Sequence, residues 1–223
     1  MRVGGDVWTM AMKRRPALKL VCHPATPGRW ADVEELFGPR GACGGCWCMW
    51  WRLPRAQFNA QKGEKNRRAP KKIVQAGEVP GLLAYVDGRP IGWCAVGPRE
   101  GYTALERSRI LKPVDDEPVW SVVCFFVAKE FRRQGVTVGL LTAAAEHARK
   151  MGATVLEGYP NDLSKGDLPD PFVYTGLAGA FRRAGFVEVA RRSAKRPIMR
   201  LALNANRKSR SAGRRLAGEA NPV

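Results

Sequence analysis

The chain has no run of about 18 or more apolar residues, so it offers no transmembrane helix. Its first twenty residues, MRVGGDVWTMAMKRRPALKL, lack a continuous apolar stretch followed by a small-residue cleavage site. That argues against a secretory signal and for the cytoplasm. No internal repeat is present. Acids are scarce: 20 Asp and Glu stand against 38 Lys and Arg, a net charge of +18. Such an imbalance favours polyanionic partners, whether nucleic acid, phosphorylated cofactors or acidic surfaces. What is present is ordinary for a globular protein. The 223 residues are 45% hydrophobic and 26% charged, enough for one large domain and too apolar for wholesale disorder.

The charge is concentrated. Between Arg52 and Lys72 there are eight basic residues and one acid, Glu64. This stretch reads as the wet face of a helical segment, with an anion site as the alternative. The tail from Asn204 to Val223 carries five basic residues and one acid and almost no large apolar side chain. It cannot bury enough surface to offset its ordering entropy, so it is expected to be disordered. Contact with nucleic acid through this tail is conceivable but not favoured over simple solvation.

Three of the six cysteines crowd into GACGGCWCMWWR. The spacing Cys43-x-x-Cys46-x-Cys48 is half of a metal site, and a tetrahedral zinc centre needs four ligands. The second half is missing, so no metal is expected. A redox pair at Cys43 and Cys46 is the other specific alternative. Reduced thiols, buried or half-buried, are the expected state in a cytosolic protein. Cys94 and Cys124 lie inside apolar strand-like runs, where cysteine behaves as a small hydrophobe.

Periodicity lays out the elements. LKLVCHP at 18–24 reads as a strand. Trp30, Val33, Leu36 and Phe37 recur at helical spacing. Residues 54–77 read as helix interrupted near Pro70. PGLLAYVDGRPIGWCAVG is a hairpin turning at Asp87-Gly88. YTALERSRIL reads as a short helix or turn. WSVVCFFVA, at 120–128, is a central strand. Leu140, Leu141, Ala144, Ala145 and Ala148 line one face of a helix that Gly152 ends. ATVLEGYP, then TGLAGAFRRAG, then FVEVARR and RPIMRLAL supply strand, helix and two last strands. The order β α α β β β α β α β β predicts a single α/β (α+β) domain with a mixed sheet.

The chemically informative unit is the turn Arg132-Arg133-Gln134-Gly135-Val136-Thr137-Val138-Gly139 between the central strand and the long helix. Gly135 lets the backbone turn tightly. The first N–H groups of the helix lack internal partners and sit at its positive dipole end. A phosphate can be held there by backbone donors with Arg132 or Arg133. The pattern is neither G-x-x-x-x-G-K-[ST] nor G-x-G-x-x-G.

Arg132-x-x-Gly135-x-Thr137 resembles the [Q/R]-x-x-G-x-[G/A] motif of the GNAT superfamily of acyl-CoA-dependent N-acyltransferases. CFFVAKEFRRQGV, ATVLEGYP and AFRRAGFVEV resemble that family's fourth strand with its turn, its fifth strand, and its last helix with sixth strand. Thr137 departs from the family's Gly or Ala. The resemblance implies a GNAT-like mixed, mostly antiparallel central sheet with a splayed strand pair, flanked by helices. It assigns the transferase domain to 16–203; residues 1–15 read by themselves as an irregular basic arm, and the tail lies beyond. It also implies acetyl-CoA as acyl donor, bound by Phe126, Val127, Arg132, Arg133, Gln134, Gly135, Val136, Thr137, Val138 and Gly139. Backbone groups near 126–128 would be free for the pantetheine arm, and the Val127 N–H would polarise the thioester carbonyl.

Two roles remain, a base for the incoming amine and an acid for the leaving thiolate. The family's frequent tyrosine in the last helix is Phe181 here, which cannot donate a proton. Tyr174 is the expected acid, with Tyr159 or water as substitutes. Glu157, an acid in an apolar strand, is the expected base. The acceptor is expected to be a small-molecule primary amine with hydrophobic or anionic parts. Positive charge beside CWCMWWR disfavours polyamines, histone tails and aminoglycosides. A homodimer is left open, and no membrane partner is expected. The competing class is a GNAT-like protein that no longer acylates and binds nucleic acid or acts as a regulator.

Overall fold

The computed structural model describes residues 18–165 and 172–203. The expected arm over 1–15 and the tail over 204–223 lie outside the described residues. Seven strands form one sheet: β1 (Val21–Pro24), β2 (Gly81–Val86), β3 (Arg89–Pro98), β4 (Trp120–Val127), β5 (Val155–Gly158), β6 (Val187–Arg191) and β7 (Pro197–Ala202). Their spatial order is β1-β2-β3-β4-β5-β7-β6. Every neighbouring pair is antiparallel except β4 and β5. The helices are α1 (Trp30–Phe37), α2 (Arg55–Ala60), α3 (Glu64–Gln75), α4 (Thr103–Glu106), α5 (Val136–Lys150) and α6 (Ala178–Arg183). The expected mixed, mostly antiparallel sheet flanked by helices is therefore present.

Local chemistry explains the framework. β2 and β3 join through Asp87 (φ 48°) and Gly88 (φ 81°), the two left-handed residues that a tight hairpin turn of matching twist needs. On one face of the sheet, α5 buries Leu140, Leu141, Ala144, Ala145 and Ala148 against Leu82, Ile91, Val96, Val122 and Leu156. This is the helix face read from the 3.6-residue period. On the other face, Trp30, Val33, Leu36 and Phe37 of α1 pack with Trp47, Trp51, Trp93 and Tyr102.

The helical stretch over 54–77 breaks in a different place from the one its proline suggests. The gap falls at residues 61–63, between α2 and α3, while Pro70 sits buried inside α3. Gly63 adopts φ 84° and donates its N–H to the Gly45 carbonyl at 3.1 Å, docking the break onto the cysteine segment. A proline inside a helix removes one backbone bond, and burial of its ring offsets that loss here.

β4 carries a bulge. Val122 pairs with Val96 and Cys124 with Ala95, leaving Val123 without an opposite residue. The consecutive residues Val123 and Cys124 consequently share the α1 face. Bulges re-aim side chains in this way next to functional sites.

Candidate active site

The parallel pair is short. β4 and β5 pair only through Trp120–Leu156, Ser121–Glu157 and Val122–Gly158. Beyond that point they part. The chain leaving β5 returns along the gap as the loop 172–177, and the Phe125 N–H donates to the Tyr174 carbonyl at 2.6 Å. Alternate amides of a strand point to opposite neighbours. Ala128 donates to the Ile91 carbonyl at 2.9 Å, so Ala128 and Phe126 face β3. Val127, like Phe125, faces the gap. The expectation of open backbone groups across 126–128 thus narrows to Val127. Its carbonyl accepts the Arg132 Nε at 3.1 Å, which ties the turn to the end of β4.

The turn has the features of an anion cradle that the sequence leads one to expect. Gly135 caps α5 with φ 84°, and a side chain atom added there would meet nothing within 4 Å. Arg133 is also left-handed, at φ 60°. At the start of α5 the Val138 and Gly139 amides turn back to the Gly135 carbonyl, at 2.9 and 3.2 Å, whereas those of Val136 and Thr137 have no carbonyl one turn earlier to bond. The surrounding cleft has a volume of about 1180 Å³ and takes in Arg132, Arg133, Gly135, Val136, Thr137 and Val138 of the turn with Phe126 and Val127 of β4. Two expected members are elsewhere. Gln134 folds back to donate to the Glu130 carbonyl at 2.6 Å. Gly139 faces Leu20, where an added Cβ would come within 2.7 Å of a methyl carbon, so its small size lets the segment leading into β1 approach α5.

The opposite end of the cleft is aromatic and thiol-rich. Trp50, Trp51, Phe58, Cys43, Cys46, Cys48, Cys124 and Lys62 line it. Trp50 meets Phe58 edge-on at 5.1 Å. The Cys48 and Cys124 sulfurs lie 3.2 Å apart. The hydrogen bond to Cys124 and then burial push the Cys48 thiol well above its usual range. Burial lifts the Cys46 thiol to about 11. Among the described residues, no three His, Cys, Asp or Glu side chains cluster as a metal ion would require.

Tyr174 lines the cleft beside Trp51, with ring centroids 6.4 Å apart. Burial raises its hydroxyl to about 12, against the opposing pull of the Arg196 charge. Glu157 does not reach the cleft. Its Oε1 accepts from Arg99 Nη1 at 3.1 Å and from the Tyr159 hydroxyl at 2.6 Å, and its Oε2 accepts from Arg200 Nε at 2.7 Å. With 1% of its surface exposed, it is the centre of a buried ion cluster. Tyr159 is held in the same cluster, within 2.9 Å of the Ser121 hydroxyl, and is likewise withdrawn from the cleft. Phe181 is fully buried, packed on Phe125 and Phe186.

Sequence reasoning missed Asn161. This buried side chain donates to the Phe172 carbonyl and the Thr175 hydroxyl, both at 3.1 Å. Its backbone N–H donates to the Gly176 carbonyl and its carbonyl accepts from Ala178. Asn161 therefore staples the loop that bears Tyr174 to the end of β5. The only hint in the sequence is a Pro-Asn pair closing a strand. Asn161→Ala is expected to cost about 1–3 kcal/mol. Amide exchange at Phe125 should accelerate in parallel, because its acceptor is Tyr174 of the released loop.

The open sheet thus parts at its one parallel pair, and a helix start opens onto the parting. The chain belongs to the acetyltransferase (GNAT) family, whose pattern matches residues 47–164, more than half of its length. No curated protein matches it. Among solved structures it is similar to a GNAT-family acetyltransferase from Listeria monocytogenes 4b F2365, at 9% identity over 82% of this chain and 94% of that one, TM-score 0.50. It is similar to another from Streptococcus agalactiae 2603, at 12% identity over 83% and 96%, TM-score 0.50. PaiA N-acetyltransferase from Thermoplasma acidophilum, solved in complex with coenzyme A, aligns at 12% identity over 83% and 99%, TM-score 0.46.

Proposed function

We propose that this protein is a cytoplasmic acetyl-CoA-dependent N-acetyltransferase, moving the acetyl group to a primary amine of a small-molecule acceptor by direct attack on the thioester. One observation carries the reading: the start of α5, the Val127 amide and the Tyr174 side chain open onto a single cleft. The pyrophosphate lies on the turn from Arg132 to Val138, held by backbone donors and guanidinium groups. The Val127 N–H polarises the thioester carbonyl and stabilises the oxyanion that forms on attack. The six cysteines are all free thiols, in keeping with a reducing compartment.

The proton leaves the attacking nitrogen and ends on the sulfur of coenzyme A. Tyr174 supplies that proton and recovers one from the ammonium created by attack. Glu157, locked between two arginines, takes no part. Asp162 lines the cleft, but Arg191 depresses its carboxyl to about 2, which makes it too weak a base. The acceptor therefore enters as the free amine, its proton already lost to water.

The primary test is binding of acetyl-CoA by calorimetry and thermal shift, followed by turnover on a panel of amines. Saturating acetyl-CoA should raise the melting temperature. Silence in both measurements at millimolar ligand would overturn the reading. Tyr174→Phe keeps the carbonyl that Phe125 uses and removes the proton donor. It should lower kcat by about 10²-fold with little change in melting temperature. With the hydroxyl near 12, Tyr174 stays protonated throughout the neutral range. The wild-type rate should rise with pH as the amine deprotonates and then level off, with no falling limb below about pH 10.

A further inference from the structure

The cysteine segment is not needed for the transfer step, yet it is built with unusual strain. Gly41, Ala42, Gly44, Gly45, Trp47 and Cys48 all have positive φ, with Trp47 at 45° and Cys48 at 57°. Non-glycine residues persist in this region only where their surroundings over-determine it. The surroundings do so here. A Cβ on Gly41 would lie 2.2 Å from the Trp47 indole, and one on Gly45 would lie 2.5 Å from the Gly63 nitrogen. The strained turn holds Cys48 towards β4. The bulge at Val123 turns Cys124 onto the same face. Two residues 76 apart in sequence thus meet with their sulfurs 3.2 Å apart, and both line the cleft.

We propose that Cys48 and Cys124 are a thiol pair which a small hydroperoxide entering the cleft converts to a disulfide. The spacing in the sequence points instead to Cys43 and Cys46. In the structure Cys43 is exposed and the Cys46 thiol is directed to the Gly41 carbonyl, at 3.7 Å. The Cys124 sulfur, which accepts the Cys48 S–H, attacks the peroxide oxygen, the O–O bond breaks, and an alcohol or water leaves. The resulting sulfenic acid is attacked by the second sulfur. The S–S bond forms and water leaves. Two electrons pass from the sulfurs to the peroxide, and the two thiol protons end on the oxygen products. The sulfurs need to close by about 1 Å to reach the bonding distance.

The bond would fasten the strained turn, and with it Trp50 and Trp51, to the strand whose end carries Val127. It would fix the wall at the acceptor end and leave the pyrophosphate turn untouched. This effect on turnover rests on the acetyl-transfer reading; the thiol chemistry does not.

The test uses the full chain, oxidised with hydrogen peroxide, alkylated, digested and mapped by mass spectrometry. The expected result is one crosslink joining the Cys48 and Cys124 peptides, the other four cysteines alkylated, and reversal by dithiothreitol. Cys48→Ser and Cys124→Ser should each abolish it, and the Cys43→Ser/Cys46→Ser double variant should keep it. In the oxidised wild type the acceptor KM should rise several-fold while the acetyl-CoA KM stays within twofold. A crosslink between Cys43 and Cys46, or sulfinic acids with no crosslink, overturns the proposal. The expected crosslink in a chain whose reduced form transfers no acetyl group supports the pair and removes only the transfer reading.

Discussion

Glu157→Ala is expected to destabilise the fold by about 3–5 kcal/mol, the usual cost of breaking a buried ion cluster from one side. The carboxylate is 1% exposed, and the Arg99 and Arg200 side chains are 8% and 13% exposed. Removing Glu157 takes from both guanidinium groups the carboxylate on their buried side. Arg99 would keep Glu106 at 2.9 Å and the Leu111 carbonyl at 2.8 Å. Arg200 would keep Asp115 at 2.6 Å. The Glu106 and Asp115 carboxylates lie towards the surface and cannot replace a charge between the two. Urea unfolding of Glu157→Ala and Glu157→Gln measures the loss, smaller for the isosteric amide. The same variants separate structure from catalysis. A catalytic base would shift the acidic limb of the pH–rate profile with little change in stability. A structural anchor lowers stability and leaves the profile of the folded fraction in place, and that is the expected outcome.

Gly135→Trp is expected to abolish the thermal shift produced by acetyl-CoA and to lower kcat/KM by on the order of 10²–10⁴-fold. The backbone at Gly135 has φ 84°, a conformation costing an L side chain about 1–2 kcal/mol. The indole would also fill the open space over the amides at the start of α5. Losing two hydrogen bonds to a charged phosphate, each worth about 1.5–3 kcal/mol, accounts for the range. Arg132→Ala should act more mildly, about tenfold. Its Nε serves the Val127 carbonyl, so that variant loosens the end of β4 as well as the cradle. Calorimetry on folded variants distinguishes lost affinity from lost structure.

The elements were legible where one local signal decided them. The Asp87-Gly88 hairpin, the apolar β4 run and the five-residue face of α5 each follow from turn chemistry or periodicity, and each stands where the pattern puts it. The shape of the Arg132–Gly135 turn was legible for the same reason, since glycine, arginine and helix start are contiguous. Side-chain roles that depend on distant partners were not. Glu157 looks like an unpaired acid in an apolar strand until Arg99 and Arg200, 58 and 43 residues away, are brought beside it. Cys48 and Cys124 give no hint of each other in the spacing. Pro70 looked like a helix breaker, and the actual break was set by Gly63 docking on Gly45. Gln134 and Gly139 belong to the motif in sequence, but Gln134 folds back onto Glu130 and the turn of the helix aims Gly139 at Leu20.

The amide of Phe125 is spoken for by the returning segment, so an acyl donor sliding inward between the parted strands meets loop backbone rather than an open sheet edge. On the proposed transfer reading, room for the acyl chain on the thioester is set by a connection between β5 and α6, the sort of element that tolerates insertion and deletion. Donor preference could then drift without altering a single strand.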